Sequence, residues 1–462
     1  MKKIVKVICC FCCFFLVSSL FSACSSNQKT DVGMTDTPTT TETTTATTTD
    51  KTSTDSKKVD LRFSWWGGDA RHQATLESLK IYMDKNPNVN ISAEYTGDMG
   101  GYRDKLATQV ASGSAPDLIQ VDVTWLPGYA AKGDFFSDML EHKDIIDTKS
   151  LDQDFINRFS MFNNKLLGLP LGINAVTFMY NSDLVKKAGI NITPDWDWDT
   201  FISEGKKLHQ MDSNLYFLNI DSQSLHENIF SNYVRQLTGN KLVNDDYSLG
   251  FDKQSASEAY KFVKKMFEEN ICQPASESTV YNKGIDKNPK WIANQFAGTV
   301  NYGSNIALFR PGLGGKTADA VNIPVAKNAK NSSIIVRPQS FLCINNKSAE
   351  KQECAKFVNF FLNDKESQLA LKDTRSVPPT ETARKVLDEA GLIDSLSVKV
   401  VDQALPKAGL ADNNLSTNQQ LNDAGVSVME KIMFGKVTPE EAADEIIKQF
   451  TDIIDDMKEN QK

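Results

Sequence analysis

Between Val59 and Val121, short apolar runs of strand length alternate with longer segments of helical period, and the connections between them are brief. Val59 to Trp65 and Asn88 to Tyr95 read as strands, and Asp117 to Val121 as a third, buried one. Asp69 to Lys85 reads as a helix with Leu76, Leu79 and Met83 on one face, and Gly101 to Ser112 as the next helix. Strands joined through single helices run parallel, with helices packed over the sheet. The pattern therefore predicts the start of a doubly wound α/β sheet, whose ligands bind beyond the carboxyl ends of the strands.

The first strand ends in Phe63-Ser-Trp-Trp-Gly-Gly-Asp-Ala-Arg-His72, which places large aromatic faces and polar groups at that edge. Indole offers a flat apolar surface for the C–H face of a pyranose, while the sugar hydroxyls need polar partners. Trp65, Trp66, Asp69, Arg71 and His72 are accordingly candidate ligand contacts. Neighbours on a strand point to opposite faces, so one tryptophan can be core, but at least one is expected to face the cleft. The third strand runs into Asp122-Val-Thr-Trp-Leu126, adding Asp122, Thr124 and Trp125 at the same edge.

A second α/β series follows Leu166 to Tyr180, where two apolar runs flank Gly172-Ile173-Asn174. Helices are predicted over Trp198–Met211, His226–Leu237, Ser255–Glu269 and Ala349–Leu362. Strands are predicted over Leu215–Ile220, Gly298–Tyr302 and Ile334–Ile344. The last helix opens at Thr438-Pro-Glu-Glu441, a capping box with proline in the first turn. Its apolar stripe is Ala443, Ile446, Ile447, Phe450 and Ile454.

The N-terminus is of another kind. Met1 to Lys6 is basic and Val7 to Phe21 is an apolar run of 15 residues, which reads as a secretory signal over residues 1–23. Phe21-Ser-Ala-Cys24 resembles a bacterial lipobox with phenylalanine in the usual leucine position, which implies lipidation of Cys24 and a membrane anchor through it. Residues 24–58 form the lipidated cysteine and a tether. Between Thr35 and Thr54, 13 of 20 residues are threonine, too polar to fold, and the 34 residues after Cys24 reach on the order of 30 Å as a flexible chain. Only Cys272, Cys343 and Cys354 then remain in the folded part, an odd number that excludes full pairing and favours buried thiols.

A formal charge of -8 argues against nucleic acid and favours a neutral or cationic ligand. Enzymatic motifs fail at particular positions. Gly315-Lys316-Thr317 lacks the first glycine of a phosphate-binding loop, since Arg310 stands there. Asp195, Asp197 and Asp199 lack the glycine and glutamate of a calcium loop, with Thr200 and Lys206 in those places. His226-Glu227 is followed by Phe230 where a zinc protease has its second histidine. Four histidines in all leave little for metal chemistry, and no cofactor is expected.

From Val59 to Met457 the chain resembles the extracellular solute-binding proteins of carbohydrate ABC transporters, the family-1 group that includes maltodextrin binders. The resemblance is carried by Trp65-Trp66-Gly67-Gly68, by Gln109 to Ile119, and by Leu169-Pro-Leu-Gly172 leading to Met179-Tyr-Asn181. Trp198-Asp199, Arg375-Ser-Val-Pro378 and the Thr438 helix are similar too. It implies a two-lobed periplasmic-binding-protein-like α/β fold of type II, each lobe a mostly parallel sheet flanked by helices. Lobe 1 is then expected over 59–171 and 333–372, and lobe 2 over 172–332 and 373–462. Crossings are expected near Gly168 to Asn174, Ser332 to Arg337 and Asp373 to Pro378. Matching segments nominate Asn174, Ser222, His226, Glu227, Tyr302, Ser304 and Asn305, with Arg337, Gln339 and Arg375 beside crossings.

The implied activity is capture of an oligosaccharide and delivery to an ABC permease by a monomer, without catalysis. The aromatic area suits a β-linked gluco-oligosaccharide of cello or laminari type, and α-linked chains could also use it. A secreted glycoside hydrolase or lyase would need a paired acid and nucleophile, and no such pair stands out. A polyamine or sugar phosphate binder would need a carboxylate-lined or strongly basic pocket.

Overall fold

The computed structural model describes residues 57–282, 284–410, 413 and 415–459. The leader, Cys24 and nearly all of the threonine tether lie outside the described residues.

The predicted β-α-β-α-β start is present. The strands Val59–Trp66 and Val89–Thr96 pair in parallel over their whole length, and Leu118–Asp122 pairs in parallel on the other side of the first. The helix Asp69–Lys85 lies between them as expected. The second helix, Met99–Ser112, begins two residues earlier than the apolar pattern indicates because Asp98 caps it, its carboxylate accepting from Gly101 N. Two antiparallel strands, Ser340–Ile344 and Leu169–Pro170, complete this sheet.

The second sheet is built on the nine-residue strand Ile173–Asn181. Ala318–Asn322, Phe296–Tyr302 and Val336–Pro338 all run antiparallel to it, and Tyr216–Asn219 lies parallel to Phe296–Tyr302. This sheet is therefore mixed rather than mostly parallel. The difference arises because its central strand enters from the first sheet and is met by chain returning from the other direction.

The expected single strand Ile334–Ile344 is two strands in two sheets. Val336–Pro338 pairs with the second sheet and Ser340–Ile344 with the first, so the chain crosses at Gln339, a few residues after the expected place. Pro338 has no N–H for a ladder, and Gln339 N donates to Gly172 O at 2.8 Å. The third passage lies against these two, with Ile173 N donating to Val377 O at 2.7 Å. A side chain at Gly172 does not fit, because its Cβ would lie 1.6 Å from Arg375 O. Residues 373–380 touch both sheets: Val377 meets Ile173 of the second, while Arg375 bonds Gln120 of the first sheet and Thr75 of its helix, and the Thr380 hydroxyl bonds Leu362 O.

Three apolar clusters follow from this layout. Leu61, Phe63 and Trp65 point to one face of the first sheet, and Trp66, Ile119 and Val121 join a cluster on the other. The largest cluster surrounds the second sheet and includes Trp196, Trp198 and Trp291. The final helix, Pro439–Glu459, docks there through Ala443, Ile446, Phe450 and Ile454. Its capping box is formed, with Thr438 N donating to Glu441 Oε2 at 2.8 Å and Glu441 N to Thr438 Oγ1 at 3.2 Å. Cys272, Cys343 and Cys354 are buried free thiols. Among the described residues no helix is long and apolar enough to cross a membrane.

Candidate functional site

A cleft of about 1140 Å³ lies between elements of the two sheets. Typical pockets for one small ligand are about 300–1,000 Å³, so this one has room for more than a single sugar ring. One wall comes from the end of the third strand, with Val123, Thr124 and Pro127, and from Arg158, Phe159 and Phe162. The opposite wall carries Gln223, His226, Glu227, Tyr302 and Arg337.

The cleft wall at 226 is locally irregular. The predicted helix His226–Leu237 is a π-helical turn, Leu225–Phe230, running into an α-helix, Ser231–Thr238. Single π turns inside α-helices are frequent at functional sites. Here the turn sets Glu227 toward the cleft, where its carboxylate accepts from Gln223 Nε2 at 3.0 Å. His226 is buried, its ring 5.6 Å from that of Phe230, and burial lowers its pKa to about 4, so the imidazole is neutral at physiological pH.

Two other predicted residues form a reciprocal pair. Asn174 Nδ2 donates to Ser304 Oγ at 2.9 Å, and Ser304 N donates to Asn174 Oδ1 at 3.1 Å. In the ladder, Arg337 lies directly opposite Asn174, and its guanidinium sits 4.5 Å from the centre of the Tyr302 ring. Asn305 instead bonds Asn301 at 2.6 Å. Of the predicted contacts, Thr124, His226, Glu227, Tyr302 and Arg337 line the cleft.

The tryptophans that motivated the sugar platform do not line it. Trp65 is 0% exposed, 5.0 Å from Tyr95, and its Nε1 donates to Nδ1 of the buried His72 at 3.0 Å. Both residues are core. Trp66 is 5% exposed and packs against Tyr102 and Trp125 at 5.3 and 5.2 Å. It backs the loop that carries Thr124 instead of presenting a face to the cleft. Trp125 stays half-buried in that stack and directly precedes the helix Leu126–Lys132, without a side-chain capping bond. The strand continues through Trp66, so alternation sends the two indoles to opposite faces, and each face is already covered.

The remaining nominees at this edge bond within the protein or lie outside the cleft lining. Arg71 donates to Thr374 O and Trp66 O, both at 3.0 Å, tying the first helix to the third passage. Arg375 is buried between Gln120 and Thr75 with its guanidinium 5.5 Å from the Phe361 ring, and burial lowers its pKa. Asp69 is exposed on the first turn of its helix, outside the cleft lining. Asp122 closes a local turn by accepting from Thr124 N and Oγ1 at 2.8 and 2.6 Å. Ser222 is buried against Glu430 at 3.0 Å, and Gln339 Oε1 accepts from Ser340 at the crossing.

Cleft residues that the sequence reading omits include Arg158, Phe159, Phe162, Lys241, Asp245 and Tyr247. Arg158 and Phe159 end the short helix Gln153–Phe159, which leads into the first crossing. The available signal was an arginine–aromatic pair just ahead of the Leu166 to Leu171 run. Among the described residues, no group of three or more His, Cys, Asp or Glu could hold a metal ion.

Two sheets joined by adjacent passages around a wide cleft are the fold of the two-lobed solute-receptor class. The model of the family described as "Bacterial extracellular solute-binding protein" matches residues 77–391, and the chain belongs to that family. It is similar to the galactooligosaccharide-binding protein of Bacillus subtilis, 22% identical over 72% of this chain and 76% of that one. A binding protein of Brucella abortus is 25% identical over 44% of this chain, and the match spans 48% of that relative's length.

Among solved structures, an oligogalacturonide-binding protein of Yersinia enterocolitica is 26% identical. The match covers 86% of this chain and 99% of that one, with a TM-score of 0.74. A family-1 extracellular solute-binding protein of Alicyclobacillus acidocaldarius has the same fold, with a TM-score of 0.77, 21% identity, and coverage of 87% and 100%.

Proposed function

We propose that the chain captures an oligosaccharide in the cleft lined by Thr124, Phe159, Tyr302 and Arg337 and presents it to an ABC permease. The observation that carries this reading is the cleft itself, wide enough for several rings and flanked by passages that can act as a hinge. The relatives that bind a galactooligosaccharide and an oligogalacturonide by name support an oligosaccharide ligand. Closure on the sugar is driven only by its tighter binding to the closed form. Anchoring through Cys24 belongs to the same proposal, and incorporation of labelled fatty acid that is lost in Cys24→Ala tests it.

The finer expectation of a β-linked gluco-oligosaccharide rests on the indole area of Trp65 and Trp66, and that support lapses with their burial. Cello- and laminari-oligosaccharides stay in the test as one arm of a wider panel. Calorimetric titration of the purified chain against neutral and acidic oligosaccharides is expected to give saturable binding to at least one. Absence of binding to all of them contradicts the proposal, as does release of reducing sugar.

A further inference from the structure

Overall charge and local charge disagree in this protein. The chain carries a formal -8, yet among the described cleft-lining residues Lys241 is paired with Asp245, and Arg158 and Arg337 face the single further carboxylate of Glu227. Asp245 is occupied: it accepts from Lys241 Nζ at 2.8 and 2.9 Å and from Asn413 Nδ2 at 2.8 Å. Glu227 is held by the neutral Gln223. Salt limits the reach of surface charge to about 8 Å in physiological medium, so the charges lining the cleft act most strongly on a ligand within it.

Two of these cations are placed without a described carboxylate. Arg158 donates to main-chain oxygens, Gly409 O at 2.7 Å and Ala408 O at 3.4 Å, and lies 5.9 Å from the Phe159 ring. Arg337 has its guanidinium over Tyr302, on a strand fixed by pairing with Asn174. Carbonyls and ring faces orient a guanidinium but do not neutralise it. A planar fork of donors held this way matches a carboxylate edge, and the adjacent aromatic suits the ring that bears it.

We propose that the cleft selects an oligosaccharide built from carboxylated sugars, with Arg337 and Arg158 receiving uronate carboxylates. This rests on the oligosaccharide reading above and deepens it. It also reverses the expectation of a neutral or cationic ligand drawn from net charge.

The test is calorimetric titration of the full chain with matched pairs: trigalacturonate and its carboxyl-reduced trisaccharide, and triglucuronate and its carboxyl-reduced form. One acid member is expected to bind at least tenfold more tightly than its neutral twin at 0.05 M NaCl, with the gap narrowing at 0.5 M. Arg337→Gln and Arg158→Gln are each expected to reduce that preference at least fivefold in protein that remains folded. Equal or tighter binding of the neutral twin in every pair that binds overturns the proposal, and so does a sulfated trisaccharide binding as tightly as the uronate. Loss of acid and neutral affinity in equal measure in both variants overturns the role given to the two arginines. If no member of any pair and no neutral oligosaccharide binds, the failure lies with the oligosaccharide reading itself.

Discussion

The indole Nε1 of Trp65 donates to Nδ1 of His72 at 3.0 Å, and the imidazole in turn lies 4.4 Å from the Tyr95 ring. The bond requires the His72 tautomer with Nδ1 unprotonated, and burial lowers the pKa of that histidine despite the opposing pull of Asp69. A pair that looks like a ligand platform in the sequence is thus an internal strut between the first strand and the first helix. Trp65→Ala should cost about 3–5 kcal/mol of stability in urea unfolding. Trp65→Phe should lose less, about 1–3 kcal/mol, because it leaves the buried His72 Nδ1 without its donor. Sugar affinity of the folded fraction should stay within twofold in both.

His226 makes stability depend on pH. Its folded pKa is about 4 because burial disfavours the imidazolium, against about 6.5 in the unfolded chain. The unfolded state therefore binds the proton more readily, so the contribution is complete above about pH 6.5 and is lost as pH falls toward 4. The full effect is about 3 kcal/mol. His226→Asn should flatten this limb in denaturant titrations between pH 7 and 4, whereas an unchanged slope would assign the acid sensitivity elsewhere.

The same ring sets a packing limit on the helix Gln419–Met433. A Cβ on Gly425 would lie 2.1 Å from two ring atoms of His226. Gly425→Ala should destabilise by about 1–3 kcal/mol despite alanine's better helix propensity. Combining it with His226→Ala should recover part of that loss, because the two positions share one space. Additive losses in thermal unfolding would contradict this contact.

At the hinge, Gly172→Ala brings a methyl against Arg375 O and must separate two of the three passages. The expected result is a lowered thermal midpoint together with weaker sugar binding, since the passages both support the fold and guide closure. A variant with native stability and affinity would show that the passages separate freely.

Most of the fold was legible because periodicity reports which face of an element is buried. The helices Asp69–Lys85 and Trp198–Met211 have the bounds that the pattern predicts. The run Ile334–Ile344 was not resolved into two strands because both are apolar, and only Gln339 marks the change of sheet. For the site, residue type alone misleads. Trp65 and Arg375 are ligand-like side chains whose partners, His72 and Gln120, are supplied by tertiary packing. Arg158 was missed for the complementary reason, since its helix shows no motif and only the fold brings it to the cleft.

The central claim is that ligand lies between the two sheets and not on the tryptophan pair of the first strand. Calorimetric titration of Tyr302→Ala and Trp65→Phe, with the sugar that binds the unaltered chain most tightly, tests it directly. Tyr302→Ala should lose at least tenfold in affinity, and Trp65→Phe should leave it near unchanged. The reverse order, with Trp65→Phe abolishing binding in a folded protein, would contradict it.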